Sequence, residues 1–174
     1  MQETPQQYTQ RILNYSSGKN ALRVQQTTPG KLAALTRRLS PRQLKQRPAP
    51  GKWSIAEILA HLADAELVIG FRMRRILASN GTAIMAFDQD AWAETFNYGR
   101  SDPKTSLETF RALRENNLRL LKSVPKPLWE NYGMHQERGK ETVDHIVQMM
   151  AGHDLNHVAQ VETMVKRKPV KRKR

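Results

Sequence analysis

Between Glu141 and Met164 the chain carries an apolar repeat interrupted by two histidines, and this stretch limits the possible fold more than any other. Val143, Ile146, Met150, Val161 and Met164 fall on one face at the 3.6-residue period, so the segment predicts a long helix with one buried side. On a wheel of about 100° per residue, His153 and His157 lie roughly 40° apart inside that stripe. Helical residues four apart have Cβ atoms about 5–6 Å from each other, so both imidazoles can address one point. Burying a polar ring without a partner is costly. The residues alone leave two kinds of partner open: a metal ion shared by both rings, or separate hydrogen bonds to carbonyls or water. The H-x-x-x-H spacing also arises by chance and does not choose between them.

The rest of the chain reads as further helices. Thr4 as cap and Pro5 in the first turn predict a helix to Tyr15, ended by Gly18. A short helical piece is expected from Asn20 to Gln26. Thr28-Pro29 repeats the cap-plus-proline signal and predicts a new helix to Leu39 with Leu32, Leu35 and Leu39 inward, and Ser40-Pro41 opens a single turn ending near Gln46. Arg47-Pro-Ala-Pro-Gly51 breaks regular structure within the domain. Asn80-Gly81 marks a turn, followed by an irregular loop to Phe87. Asp88 is placed to cap a short helix to Tyr98 that packs Trp92 and Phe96 inward. Lys104 to Ser123 predicts a long helix with Leu107, Phe110, Leu113, Leu118 and Leu121 on its apolar side, interrupted by Asn116-Asn117 and ended by Val124-Pro-Lys-Pro127. Leu128 to Tyr132 reads as a turn and Gly133 to Lys140 as a polar loop, before Glu141 or Thr142 caps the last helix. Nothing alternates usefully with period two. The expectation is an all-α four-helix bundle of three long helices, one shorter N-terminal helix and small connecting helices.

A second informative stretch runs from Gly51 to Asp64. Ser54 with Glu57 three residues on is a capping box, so a helix starts firmly there and continues to Ala78, burying Ile58, Leu62, Ala65, Ile69 and Ile76. His61 lies close to that buried face. Asp64, about one turn beyond, is a candidate to orient the imidazole, as carboxylates do for metal-bound histidines; a plain surface carboxylate is the other reading. Glu57 is committed to the cap.

Composition narrows the chemistry. The chain has 174 residues, one domain from 4 to 165 in the simplest reading, and no cysteine. Disulfides, cysteine-ligated zinc and a protein thiol nucleophile are therefore excluded. Met1 to Pro5 opens no basic-then-apolar leader, and no run of about 18 apolar residues exists to span a bilayer, so a cytoplasmic protein with no membrane partner is expected. The formal charge is +13, from 29 Lys and Arg against 16 Asp and Glu, and much of the excess lies in Lys166 to Arg174. That segment, beyond the last apolar repeat, reads as a disordered basic tail, with nucleic acid as one conceivable partner.

Two stretches together carry a resemblance. Gly51-Lys-Trp-Ser-Ile-Ala-Glu-Ile-Leu-Ala-His-Leu-Ala-Asp64 and Ala151-Gly-His-Asp-Leu-Asn-His-Val-Ala-Gln160 look like the two signature helices of the DinB-like superfamily, which includes bacillithiol-transferase-like and mycothiol-dependent proteins. The resemblance runs from about Tyr8 to Val165 and takes in Phe87-Asp-Gln-Asp-Ala-Trp92 and His135-Gln-Glu-Arg-Gly139. It implies a bundle of up-down-down-up type, often a homodimer, holding a divalent metal with one histidine from the second helix and two from the last. Carried over to this sequence, those ligands are His61, His153 and His157. It further implies metal-assisted transfer or isomerisation of a small molecule with a low-molecular-weight thiol. The basic tail departs from the family pattern.

Three imidazoles suit zinc or nickel and leave a coordination position open. Such a site can activate water for hydrolysis or hold a thiolate that arrives on a small molecule. His145 reads as a boundary residue. His135 sits in a loop that could fold over the site and contribute a proton donor or substrate contact, but surface placement is the favoured reading. Gly-His-Asp at 152–154 lacks the surrounding ligands of a phosphohydrolase, and no nucleophile elbow appears. Two functions remain: a metal-dependent thiol transferase or hydrolase, or a non-catalytic metal-binding stress protein whose basic tail binds nucleic acid.

Overall fold

The computed structural model describes residues 3–166; of the expected basic tail, Lys166 to Arg174, Lys166 ends the last helix and the rest, from Arg167 onward, lies outside them. Helices dominate: α1 Pro5–Ser16, α2 Ala21–Thr36, α3 Pro41–Lys45, α4 Ile55–Ala78, α5 Gln89–Thr95, α6 Pro103–Ser123 and α7 Val143–Lys166. The four-helix bundle consists of α2, α4, α6 and α7. One apolar cluster joins the start of α2 (Ala21) and of α7 (Val143, Ile146, Val147) to the end of α4 (Met73, Ile76) and of α6 (Leu121). The other joins Leu32 of α2 and Val158 and Val161 of α7 to the start of α4 (Ile55, Ile58, Leu59) and to Phe110 of α6. Helices α2 and α7 therefore run one way and α4 and α6 the other, which is the up-down-down-up order.

The fourth bundle member is α2, and α1 is an addition that packs on α7. This corrects the expected break between Gln26 and Thr28. Pro29 lies inside a continuous α2, and Thr28 is no cap: its hydroxyl donates to the Val24 carbonyl one turn back at 2.9 Å. A mid-helix proline lacks the N–H that would reach the carbonyl of the residue four before it. Here that carbonyl belongs to Gln25 and accepts from Arg114 Nη1 at 2.9 Å, so the defect is filled from another helix.

The remaining starts follow the caps. Thr4, Ser40 and Ser54 each form a full capping box, Asp88 and Asp102 cap α5 and α6, and the Thr142 hydroxyl accepts from the His145 amide at the head of α7. Asn116 and Asn117 do not interrupt α6. Asn117 is buried and donates to Glu66 Oε1 at 2.8 Å, so its side chain is satisfied across the α4–α6 contact. Trp92 is half-buried, but Phe96 is exposed, because α5 is too short to lay a full stripe on the bundle.

A small sheet replaces two expected loops. Strand β1, Thr82–Ile84, pairs in parallel with β2, Tyr132–His135, which pairs antiparallel with β3, Gly139–Thr142. Gly139, at φ +78°, closes the hairpin in a backbone region that glycine enters without strain. Inward and outward residues do alternate here. The inward ones, however, are Gly133, His135 and Glu141, so hydropathy does not reveal the period.

A candidate metal centre

Three helical segments bring polar groups to the middle of the bundle, between its two apolar clusters. Helix α4 delivers His61, two turns after the Ser54 cap. The Glu57 carboxylate accepts from the Ser54 amide at 2.7 Å and is paired with Arg47, so the helix start is pinned on two sides. Helix α7 delivers His153 and His157. Its Gly152 lets α1 approach: a Cβ there would lie 2.0 Å from the Ile12 carbonyl oxygen.

All three rings are buried, and their Nε2 atoms converge. His61 Nε2 lies 3.0 Å from His153 Nε2, and His157 Nε2 lies 3.1 Å from it. Each ring nitrogen offers one N–H or one lone pair, so His153 Nε2 can complete only one of these two contacts as a hydrogen bond. A cation would accept all three lone pairs. Donors at about 2.0–2.1 Å from one ion stand roughly 2.9 Å apart at right angles and roughly 3.3 Å apart at tetrahedral angles, a range that includes both observed separations. The bonds to carbonyls or water that the sequence left open do not form at Nε2 with any carbonyl of the described residues. These three histidines therefore form a set able to hold a metal ion, with all three ligand atoms inside 4.8 Å.

Electrostatics point the same way. Burial pushes His61 and His153 well below the usual imidazole range, and the neighbouring rings add to it. Burial lowers His157 to about 4, against a smaller upward pull from Gln160. Neutral rings are the ligand form. His157 Nδ1 lies 3.0 Å from Gln160 Oε1, one turn on along α7; a proton on Nδ1 directs the lone pair of Nε2 at the cluster. The indole of Trp53 stands against His61, ring centroids 4.9 Å apart.

Asp64 is not placed to orient His61. Its Oδ2 accepts from the Tyr98 hydroxyl at 2.6 Å, and Tyr98 in turn packs edge-on to Trp53 at 6.4 Å. The carboxylate thus braces the aromatic wall and touches no imidazole through a hydrogen bond. His135 lies at the end of β2, buried, with Nδ1 accepting from the Glu137 amide at 3.2 Å. It does not line the cavity beside the three rings. His145 is half-buried at the start of α7.

The largest omission from the sequence reading is Arg114. It is fully buried on the apolar side of α6, held by Asp154 of α7 through Nη1 at 2.5 Å and Nη2 at 2.9 Å, and by Glu66 of α4 at 2.8 Å. With the Gln25 carbonyl it ties all four bundle helices at the level of the histidines. Burial pulls its pKa down, but the two carboxylates outweigh that and keep it charged. Its place in the stripe Phe110-Arg114-Leu118-Leu121 is the signal that sequence offers. Gln160, three residues after His157, is likewise legible from helical spacing.

Two openings reach the histidines. A surface cleft of about 720 Å³ is lined by His157, Trp53, Gln160 and Tyr8. A smaller cavity of about 90 Å³ is lined by His61, His153, Tyr8, Arg72, Arg138 and Glu141 together with apolar side chains.

The family model of the DinB superfamily matches residues 26–161, most of the bundle and all three histidines. A protein of Oceanobacillus iheyensis with the description "Putative metal-dependent hydrolase" is 25% identical over 130 residues, 75% of each chain. The Bacillus subtilis protein "Putative metal-dependent hydrolase YfiT" is 24% identical over 148 residues, 84% of this chain and 83% of its own. The solved structure of YfiT, described as "a probable metal-dependent hydrolase with an unusual four-helix bundle topology", overlays with a TM-score of 0.78 at 22% identity, covering 83% of each chain.

Proposed function

The chain belongs to the DinB superfamily, and we propose from that premise that it is a divalent-metal-dependent hydrolase of a small molecule, with His61, His153 and His157 as the metal ligands. The observation that carries this reading is the convergence of three buried Nε2 atoms that cannot all satisfy one another. The names of the relatives, which speak of metal-dependent hydrolysis, support it. Zinc and nickel both suit an all-imidazole set.

The chain's own residues hold and shape the site. Gln160 fixes the His157 ring, Trp53 covers His61, and the Arg114–Asp154–Glu66 cluster keeps α4, α6 and α7 in register beneath the donors. The chemistry such an ion supplies when bound is polarisation of a substrate oxygen and acidification of a water molecule toward neutrality. Burial of the three rings keeps bulk water away from them, and the two openings give reactants access, one at His157 and one at His61 and His153. A transferase reading, in which a small-molecule thiol replaces water, uses the same residues and is separated by assay.

The test starts from untagged protein. Elemental analysis is expected to give about one divalent ion per chain, falling below a tenth in His61→Ala and in His157→Ala while the circular dichroism of the bundle persists. Turnover of activated esters and amides, with and without an added low-molecular-weight thiol, is expected in the wild type and absent in both variants. Full metal content in both variants overturns the ligand assignment; acceleration only with thiol moves the reading to the transferase.

A further inference from the structure

Among the described residues two arginines are buried, and of these Arg114 alone is neutralised by carboxylates there. Arg114 meets two carboxylates. Arg72 is 6% exposed, and its sole hydrogen bond among the described residues runs from Nη2 to the Met85 carbonyl; no carboxylate of those residues pairs with it. Its other polar neighbours do not fill that role. Glu141 is bound by Arg138 through Nε at 2.6 Å and Nη2 at 3.2 Å, and Glu137 is exposed. Burying a charged guanidinium without a counter-charge is costly unless something else supplies the charge.

Arg72 also lines the small cavity that His61 and His153 line. It follows His61 by eleven residues on α4, about 16 Å further along the helix and only about 20° around it. Helical side chains lean toward the N-terminus, here toward His61. Between the two lie Ala65 and Ile69, with Ile146 and Met150 facing them from α7. The cavity is thus apolar in the middle, with His61 and His153 of the histidine cluster at one end and the Arg72 guanidinium at the other. Burial pulls the Arg72 pKa down to about 10, with Arg138 adding to the effect, so the residue remains charged near neutrality.

We infer that the reactant is a small molecule carrying an anionic group, a carboxylate or a phosphate, that seats on Arg72 while its apolar portion leads back to the three histidines. The inference deepens the metal-dependent reading above and rests on it for the reaction, but the anion seat belongs to the chain alone. Arginine suits the task because its planar fork matches carboxylate and phosphate oxygens and stays charged. Arg138, on the same wall, is paired with Glu141, so that pair is close to neutral and leaves the Arg72 charge to meet the anion.

The probes are butyrate, butyramide and inorganic phosphate, titrated calorimetrically into wild type, Arg72→Met and Arg72→Lys, each with zinc and without. Butyrate or phosphate is expected to bind at least tenfold more tightly than butyramide to the wild type, and which anion wins identifies the group. Arg72→Met is expected to abolish the preference while retaining zinc content and thermal stability, since the Met85 side chain is exposed and its carbonyl can turn to water. Arg72→Lys is expected to restore part of it. Equal binding of anion and amide, no saturable anion binding, or a preference unchanged in Arg72→Met overturns the seat. Zinc absent from the wild type with the anion preference intact defeats the metal reading alone; full zinc without the preference defeats the seat alone.

Discussion

The Arg114 guanidinium, on α6, donates to the Gln25 carbonyl on α2 at 2.9 Å, the acceptor that Pro29 leaves without its in-helix donor. One buried cation thereby serves two ends: it completes a helix that a proline would weaken, and it balances Asp154 and Glu66 beneath the histidines.

Removing that cation strands two buried carboxylates. Arg114→Met is therefore expected to cost about 3–5 kcal/mol in urea unfolding, the range for breaking a buried ion pair from one side. Replacing the whole cluster, Arg114→Met with Glu66→Leu and Asp154→Leu, is expected to cost clearly less than the single change. A triple variant weaker than the single one would show that the cluster stabilises the bundle by its net attraction.

Gly152 sits where α1 crosses α7. A Cβ there meets the Ile12 backbone, 2.0 Å from its oxygen and 2.8 Å from its carbonyl carbon, and backbone cannot rotate away as a side chain can. Gly152→Ala is expected to destabilise by about 1–3 kcal/mol as overpacking does, and to loosen α1 first. Limited proteolysis within Pro5–Ser16, compared with wild type, reads that outcome; an unchanged denaturation midpoint would rule it out.

Most of the bundle was legible because caps and apolar stripes are local signals. Ser54 with Glu57, Thr4 with Pro5 and Asp88 each announce a helix start from residues three apart or fewer. The three histidines were legible by helical phase, and their meeting came from the resemblance of two stretches. What stayed hidden depends on distant partners. Pro29 reads as a helix start unless Arg114, 85 positions later, is known to fill its gap. The β2–β3 hairpin hides because its inward side chains, His135 and Glu141, are polar. Asp64 sits at the right spacing to support His61, yet a phenol from the Tyr98–Arg100 turn reaches it first.

Gln160 holds His157 from the side away from the cluster. Gln160→Leu keeps the size of the side chain and removes the partner of Nδ1. Metal affinity is expected to fall about 10–100-fold, the usual effect of losing such a supporting bond, with little change in the stability of metal-free protein because Gln160 is exposed. Competition titration with a chelator measures it, and an affinity within twofold of wild type would show that the ring is held by packing alone.

The buried rings give the last prediction its sign. Each is a base whose pKa is lowered in the folded state: His157 to about 4, His61 and His153 well below the ordinary 6.5, all three chiefly by burial. Between those values and about 6.5 the unfolded chain binds protons that the folded chain does not. Stability from these rings is thus fully present above about 6.5 and is lost as pH falls, at about 1.4 kcal/mol per pH unit for each ring inside its window. For His157 the loss stops near pH 4, where the folded ring protonates as well. Zinc binds only the neutral rings, and the folded rings stay neutral down to about pH 4, so its added stabilisation, about 2.7 kcal/mol at a hundredfold excess over Kd, is expected to persist through the fall and to shrink only near pH 4 and below. Thermal unfolding at pH 7.5, 6.5, 5.5, 4.5 and 3.5, with and without zinc, should therefore give two curves that fall together, keep their separation to about pH 4.5 and converge only at the lowest pH. Curves that coincide at every pH, or that already converge between pH 6.5 and 5.5, would mean that zinc does not bind through these buried neutral imidazoles.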